Sequence, residues 1–126
     1  MSNEIKNTFC WIDIPVTDLD RAIDFYSAVL AEKVQKISEH GFEFSLLPHA
    51  EENVSGCLSV MENRQPSQNG PLVYLNVEGH LAQAVLSAKN HGGEILQEMT
   101  PIGPYGHRAV ILDTEGNSIA LYSKEA

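Results

Sequence analysis

Residues Ile12 to Leu30, IDIPVTDLDRAIDFYSAVL, change their hydrophobic period within one short stretch, and the same change recurs in the second half of the chain. Ile12, Ile14 and Val16 alternate with Asp13 and Pro15, the period of a strand with one apolar and one polar face. From Leu19 onward, Leu19, Ala22, Ile23, Tyr26 and Leu30 fall at helical spacing and make one apolar stripe. Thr17 or Asp18 stands where a helix N-cap is needed. Asp18, Asp20 and Asp24 put negative charge toward the positive end of that helix. A strand that runs straight into an amphipathic helix buries one face beneath it. Ile12, Ile14 and Val16 are therefore expected under the helix, with Trp11 and Asp13 on the opposite face of the sheet.

In chain order, Met1 to Asn7 reads as a polar lead-in, Phe9 to Val16 as a strand and Asp18 to Leu30 as the helix. Lys33 to Glu39 and Phe42 to Leu47 alternate on either side of His40-Gly41 and read as a hairpin. Pro48 to Asn53 is a polar loop, and Val54 to Met61 is a fourth strand. Glu62 to Gly70, ENRQPSQNG, holds no apolar residue and reads as an exposed linker. The order then repeats. Pro71 to Val77 is a strand, and His80 to Asn90 is a helix with Leu81, Ala84, Val85 and Ala88 on one stripe. Gly92 is placed to end that helix in the left-handed conformation. Glu94 to Met99, His107 to Leu112 and Ser118 to Ser123 are strands, separated by the turn-rich TPIGPYG and by the tight turn DTEGN. The helix stripes match pair by pair, Leu19 with Leu81, Ala22 with Ala84, Ile23 with Val85 and Tyr26 with Ala88. Asn53 and Asn117 both precede a final strand. The sequence thus predicts an α+β fold. A single domain over 1–126 is built of two tandem βαβββ modules, about 8–61 and about 71–124, joined by linker 62–70. Their strands are expected to form one curved mixed sheet around a cavity, because an apolar sheet face left uncovered is costly.

A chain of 126 residues with 43 % hydrophobic content can bury a core without disulfides or metals. Cys10 and Cys57 are isolated, without CxxC spacing, and are expected to be free thiols. No apolar run reaches the length of a membrane span, and MSNEIKNTF lacks a secretory h-region, so a cytoplasmic protein is expected. The net charge of −9, with Arg21, Arg64 and Arg108 the only arginines, leaves no basic face for nucleic acid or an anionic membrane.

The stretch IPVTDLDRAIDFYSAVL resembles the opening signature of the vicinal oxygen chelate superfamily, which includes glyoxalase I, bleomycin-resistance proteins and extradiol dioxygenases. DTEGNSIALYS resembles its closing turn and strand, DPxGNxIEL, and the resemblance runs from Phe9 to Ser123. It implies the two-module fold and, in the metal-dependent relatives, four His or Glu ligands on the inner sheet faces. These come from the first and last strand of each module. Carried over residue by residue, the four places fall on Trp11, on Gly56 (with Ser55 or Cys57 as alternatives), on Leu72 and on Ala120. Apart from Cys57 none is a usual ligand, so no bound metal and no cofactor are expected. The resemblance also implies a homodimer, which exposed sheet edges favour.

Alternation puts Trp11, Asp13, Leu58, Leu72, Tyr74, Asn76 and Tyr122 on the inner faces. Aromatic walls with a few polar groups are the usual make-up of a small-molecule site, the alternative being a cavity that these rings simply fill. Asp13 is a candidate general base, or is tied to a neighbouring strand, with Asn76 as its equivalent in module two. Arg108 is a candidate anchor for a carboxylate or phosphate, or one half of a surface ion pair. His107 is a candidate proton carrier, or a hydrogen-bonded residue at a strand end. Tyr105 is placed to lie over the cavity mouth. His40, His49, His80 and His91 are expected to be solvated. The expected function is metal-independent binding of a small, partly aromatic or anionic molecule through Trp11, Asp13, Tyr74, Asn76, Tyr105, His107, Arg108 and Tyr122. The alternatives are a metal-free lyase or isomerase with Asp13 or His107 as base, a glyoxalase-like enzyme with a non-standard metal site, and an interaction module with a filled cavity.

Overall fold

The strand-to-helix corner forms as the sequence predicts in a computed structural model of the chain, which describes residues 7–50 and 53–126. The lead-in up to residue 6 and residues 51–52 of the expected polar loop lie outside the described residues. Strand β1 is Trp11–Pro15 and helix α1 is Leu19–Leu30. Asp18, in extended conformation, takes the N-cap and accepts the Arg21 N–H at 3.1 Å. Thr17, the other candidate cap, turns instead to Glu115 of the second module. The chain continues as β2 (Gln35–Glu39), β3 (Phe42–Leu46), β4 (Ser55–Ser59), β5 (Val73–Asn76), α2 (Leu81–Asn90), β6 (Glu94–Pro101), a single 3₁₀ turn (Gly103–Tyr105), β7 (His107–Leu112) and β8 (Ser118–Ser123). Gly92, with φ +98°, turns the chain out of α2 as expected, and Gly93 N–H reaches back to the Ala88 carbonyl at 2.8 Å.

Both modules have the same topology. The first and last strands pair in parallel, and a hairpin extends the sheet, in the orders β1-β4-β3-β2 and β5-β8-β7-β6. The strands hydrogen-bond as two four-stranded mixed sheets, one per module, where the sequence suggested one continuous sheet. β1 and β5 are both edge strands, and residues of each line a common cavity, so no ladder closes between them. β6 is longer than expected. It is an exposed edge strand whose register shifts twice, between Ile95 and Gln97 and again before Thr100.

The core is one continuous cluster shared by both modules. The α2 stripe of Leu81, Ala84, Val85 and Ala88 is buried as predicted. In α1 the buried set is Leu19, Ala22, Phe25, Tyr26 and Val29, while Ile23 and Leu30 are only partly covered. Phe25 and Val29 escaped the predicted stripe because α1 packs against α2 as well as against its own sheet. Gly93 makes room for this: a Cβ there would stand 2.8 Å from the Phe25 ring and 2.6 Å from the Leu112 carbonyl. The β1–β4 register corrects a second expectation. It pairs Ile14 with Leu58 and Asp13 with Cys57, so Leu58 lies fully buried on the helix side, and Cys57 takes its place beside Asp13.

The turn between β7 and β8 plugs into the β1–α1 corner. Asp113 Oδ1 accepts the backbone N–H groups of Glu115, Gly116 and Asn117, each at 2.8 Å, and Oδ2 accepts the buried Tyr26 hydroxyl. Asn117 Nδ2 donates to the Pro15 carbonyl at 2.9 Å. Glu115 reaches furthest, with its side chain wholly shielded from solvent. Its Oε1 accepts the N–H groups of Thr17 and Asp18, both at 2.9 Å, and its Oε2 accepts Arg21 Nε at 2.8 Å. Burial by itself raises this carboxyl. The hydrogen bonds from Arg21, Asp18, Thr114 and Thr17 outweigh it and hold the group down from 4.5 to about 2. Burial, reinforced by Asp113, pushes the Tyr26 phenol well above its usual range.

A carboxyl whose folded value lies below its unfolded one stabilises the fold above pH 4.5, and that contribution is lost as the pH falls toward about 2. Glu115→Gln is expected to lower the unfolding free energy at pH 7 by about 2 kcal/mol and to flatten the acid limb of the stability curve. Urea denaturation of both proteins across this range checks it. Equal stability at pH 7 would remove Glu115 as the joint.

Candidate functional site

Each sheet keeps one face under the helices and leaves the other open. In the first sheet, β1 puts Trp11 and Asp13 on the open face, and the parallel register brings Ser55 and Cys57 alongside them. The Cys57 thiol donates to Asp13 Oδ1 at 3.1 Å. Burial first, and then Asp13, push this thiol up to about 11, so it is protonated at neutral pH. Trp11 is 41 % exposed and meets the His49 ring edge-on, with centroids 5.9 Å apart.

In the second sheet, β5, β7 and β8 bring Tyr74, Arg108 and Tyr122 onto one open face. Arg108 Nη1 donates to the Tyr74 hydroxyl, Nε donates to Gln97 Oε1 at 3.3 Å, and Cζ stands 5.9 Å from the Tyr74 ring centroid. The Tyr74 and Tyr122 rings are tilted to one another with centroids 6.4 Å apart. The Tyr122 hydroxyl donates to the Tyr105 carbonyl. Arg108 has no carboxylate within ion-pair distance among the described residues, so the surface ion pair that the sequence left open does not form there.

The eight sequence-predicted residues do not form one cluster. Tyr74, Arg108 and Tyr122 are together, while Trp11 and Asp13 stand on the other sheet, with no hydrogen bond or ring contact joining the two groups. Asn76 lies next to Tyr122 in the register, but its side chain accepts the Glu78 N–H at 3.0 Å and so shapes the β5–α2 corner. His107 alternates with Arg108 and points to the opposite face, half-buried, with Nδ1 shielded and without a hydrogen-bond partner among the described residues. The Tyr105 side chain is 73 % exposed on the 3₁₀ turn.

Two cavities flank β1. The larger, a cleft of about 670 Å³, runs between β1, the linker and the start of β8, and takes in Trp11, Asp13, Asn63, Arg64 and Ser67. The smaller, about 440 Å³, lies between β1, the end of α1 and β5, and takes in Tyr74 and Asn76. The linker, expected to be merely exposed, is held against module two by Ser67 N–H donating to Asn117 Oδ1 at 3.1 Å, and so forms a wall of the cleft. Sequence reasoning missed this wall because a polar stretch without a period carries no direction. It missed Gln97 because the β6 bulges break the alternation that would have placed it.

Of the four places that hold metal in metal-dependent relatives, Gly56 faces the helix side, where a Cβ would stand 2.3 Å from the Ile12 carbonyl oxygen. Ser55 or Cys57 is the open-face choice. Indole, leucine and alanine at the other three places offer no donor to a divalent ion. Among the described residues no three His, Cys, Asp or Glu side chains converge on a metal-binding position. The residues present do not fit the ion those relatives carry.

A sequence profile of the Glyoxalase/Bleomycin resistance protein/Dioxygenase superfamily matches residues 8–121. Among solved structures, the chain is similar to a glyoxalase/bleomycin resistance protein from Albidiferax ferrireducens T118. The TM-score is 0.73 and the identity 16 %, over 93 % of this chain and 98 % of that one. It is also similar to a glyoxalase-related enzyme from Fulvimarina pelagi, with a TM-score of 0.70 and 12 % identity, over 94 % and 88 % of the two chains. For the V278E mutant of glyoxalase I from Zea mays the TM-score is 0.68 and the identity 23 %, over 91 % of this chain but 45 % of that one. Comparison with curated protein sequences finds no match.

The two thiols are expected to react differently. At about pH 8 the exposed Cys10 should take up iodoacetamide, while Cys57 should remain unlabelled until the chain is denatured. Intact mass before and after guanidinium reads the difference. Double labelling of the native protein would contradict the Asp13–Cys57 arrangement.

Proposed function

The chain belongs to the glyoxalase/bleomycin resistance protein/dioxygenase superfamily, and from that membership we propose that it is a metal-independent small-molecule-binding protein, a single two-module domain whose ligand lies in the cleft along β1. The observation that carries this reading is the cleft itself. Its volume of about 670 Å³ suits a drug-sized molecule, and Trp11, 41 % exposed, is among the residues that line it. Asp13, Asn63, Arg64 and Ser67 line the same cleft and offer polar groups for orientation, with no metal donor set among the described residues. A Cys57 thiol already donating to Asp13 gives that carboxylate a structural task, which favours binding over proton abstraction.

A cytoplasmic homodimer belongs to the same reading. β2 and β6 end their sheets as edge strands, and Phe42 in the β2–β3 hairpin stands exposed. The net charge of −9 disfavours nucleic acid, and among the described residues no helix is long and apolar enough to cross a membrane.

Trp11 is the single tryptophan of the chain, so intrinsic fluorescence reports on the cleft directly. Titration with a panel of aromatic acids and amines should give a saturable fluorescence change with at least one compound, a matching rise in melting temperature, and no effect of a chelator. Trp11→Ala should weaken that compound by about tenfold in a thermal-shift titration. A panel without a saturable response, or binding abolished by the chelator, would refute the proposal.

A further inference from the structure

We propose that the open face of the second sheet carries a second binding site, separate from the cleft, in which Arg108 holds a small planar carboxylate against Tyr74 and Tyr122. Neither Arg108 nor Tyr122 lines either cavity flanking β1.

A guanidinium has five N–H groups. One, on Nε, goes to Gln97, and one, on Nη1, goes to Tyr74. One donor on Nη1 and both on Nη2 are left for a ligand, the fork that fits the two oxygens of a carboxylate. The neighbours that fix the group are a neutral amide and a phenol, so no carboxylate among the described residues neutralises its charge. Among the described residues the ion pairs are Arg21 with Glu115 and Lys36 with Asp20 and Glu43. In a chain with 17 acidic residues against 8 lysines and arginines, a half-buried arginine held in place by neutral partners alone stands apart.

The surroundings define the rest of the ligand. Tyr74 is 46 % exposed, and the Tyr122 ring is tilted 58° against it, so the two make an aromatic corner beside the guanidinium. That corner suits a flat apolar body attached directly to the anion. The corner is organised in advance. Tyr122 is tied to the Tyr105 carbonyl, Tyr74 to Arg108 and Arg108 to Gln97, on four hydrogen-bonded strands, so little side-chain freedom is lost on binding. The net charge of −9 opposes diffuse adsorption of anions, so uptake of a carboxylate must come from a local arrangement of this kind.

Benzoate is the probe, with benzamide as its neutral twin and inorganic phosphate as a non-planar anion. Binding is read from the Arg108 Nε–H resonance by NMR and from calorimetry on the full chain. Saturable benzoate binding that moves this resonance is expected, with benzamide at least about tenfold weaker. Arg108→Gln should weaken benzoate by about tenfold or more, and Arg108→Lys by less, since an ammonium keeps the charge and loses the fork. Trp11→Ala should leave the benzoate-induced shift of the Arg108 Nε–H resonance unchanged, which separates failure of this site from failure of the cleft. Should Arg108→Gln fail to fold, Arg108→Lys and the benzoate–benzamide comparison still decide. Benzamide binding as well as benzoate, wild-type affinity in a folded Arg108→Gln, or no saturable shift would overturn the site. Phosphate binding more tightly than benzoate would overturn the planar ligand.

Discussion

The seating of Glu115 in the β1–α1 corner is the constraint on which the arrangement of the two modules depends. Neither sheet hydrogen-bonds to the other. What relates them is the packing of α1 against α2 and the turn that carries Asp113, Glu115 and Asn117. A buried carboxylate is costly unless nearly all its lone pairs are used. Glu115 meets that demand with donors drawn almost entirely from module one, so the group is stable there only when the modules are docked. Asp113 meets the same demand differently. One of its oxygens organises its own turn and the other receives Tyr26 across the junction. The docking leaves β1 flanked by cavities, because β1 and β5 remain edge strands.

The open sheet faces follow from the same geometry. With both helices drawn into one shared core, every strand residue of opposite parity is turned away from it. The first sheet thereby presents an indole, a carboxylate and a protonated thiol, and the second a guanidinium between two phenols. Among the described residues neither set offers the three converging donors that would hold a divalent ion.

Much of the fold was legible in the residues. β7 and β8 match their expected ranges, the α2 stripe is buried residue for residue, and Asp18 caps α1 as one of two candidates. What escaped was local periodicity overruled by packing from a distance. Phe25 and Val29 are buried because a second helix covers a flank of α1 that an isolated helix would show to water. Leu58 and Cys57 exchanged faces because a parallel register between strands far apart in sequence decides which of two neighbours looks outward. The candidate site was legible as a list of residue types and illegible as a place. Alternation put Trp11, Asp13, Tyr74 and Tyr122 on open faces, yet could not say that those faces belong to two sheets.

By itself the sequence determined the two-fold repetition of strand, helix and three strands and the apolar stripes that drive it. These are properties of spacing and side-chain chemistry, and both survive without a third dimension. Only the tertiary structure decided that the sheets stay separate, that Glu115 rather than a strand ladder joins them, and that Arg108 stands between Tyr74 and Gln97 with no counter-charge among the described residues. Those outcomes depend on partners up to a hundred residues apart along the chain, and no local pattern encodes which of many acids reaches which of a few cations.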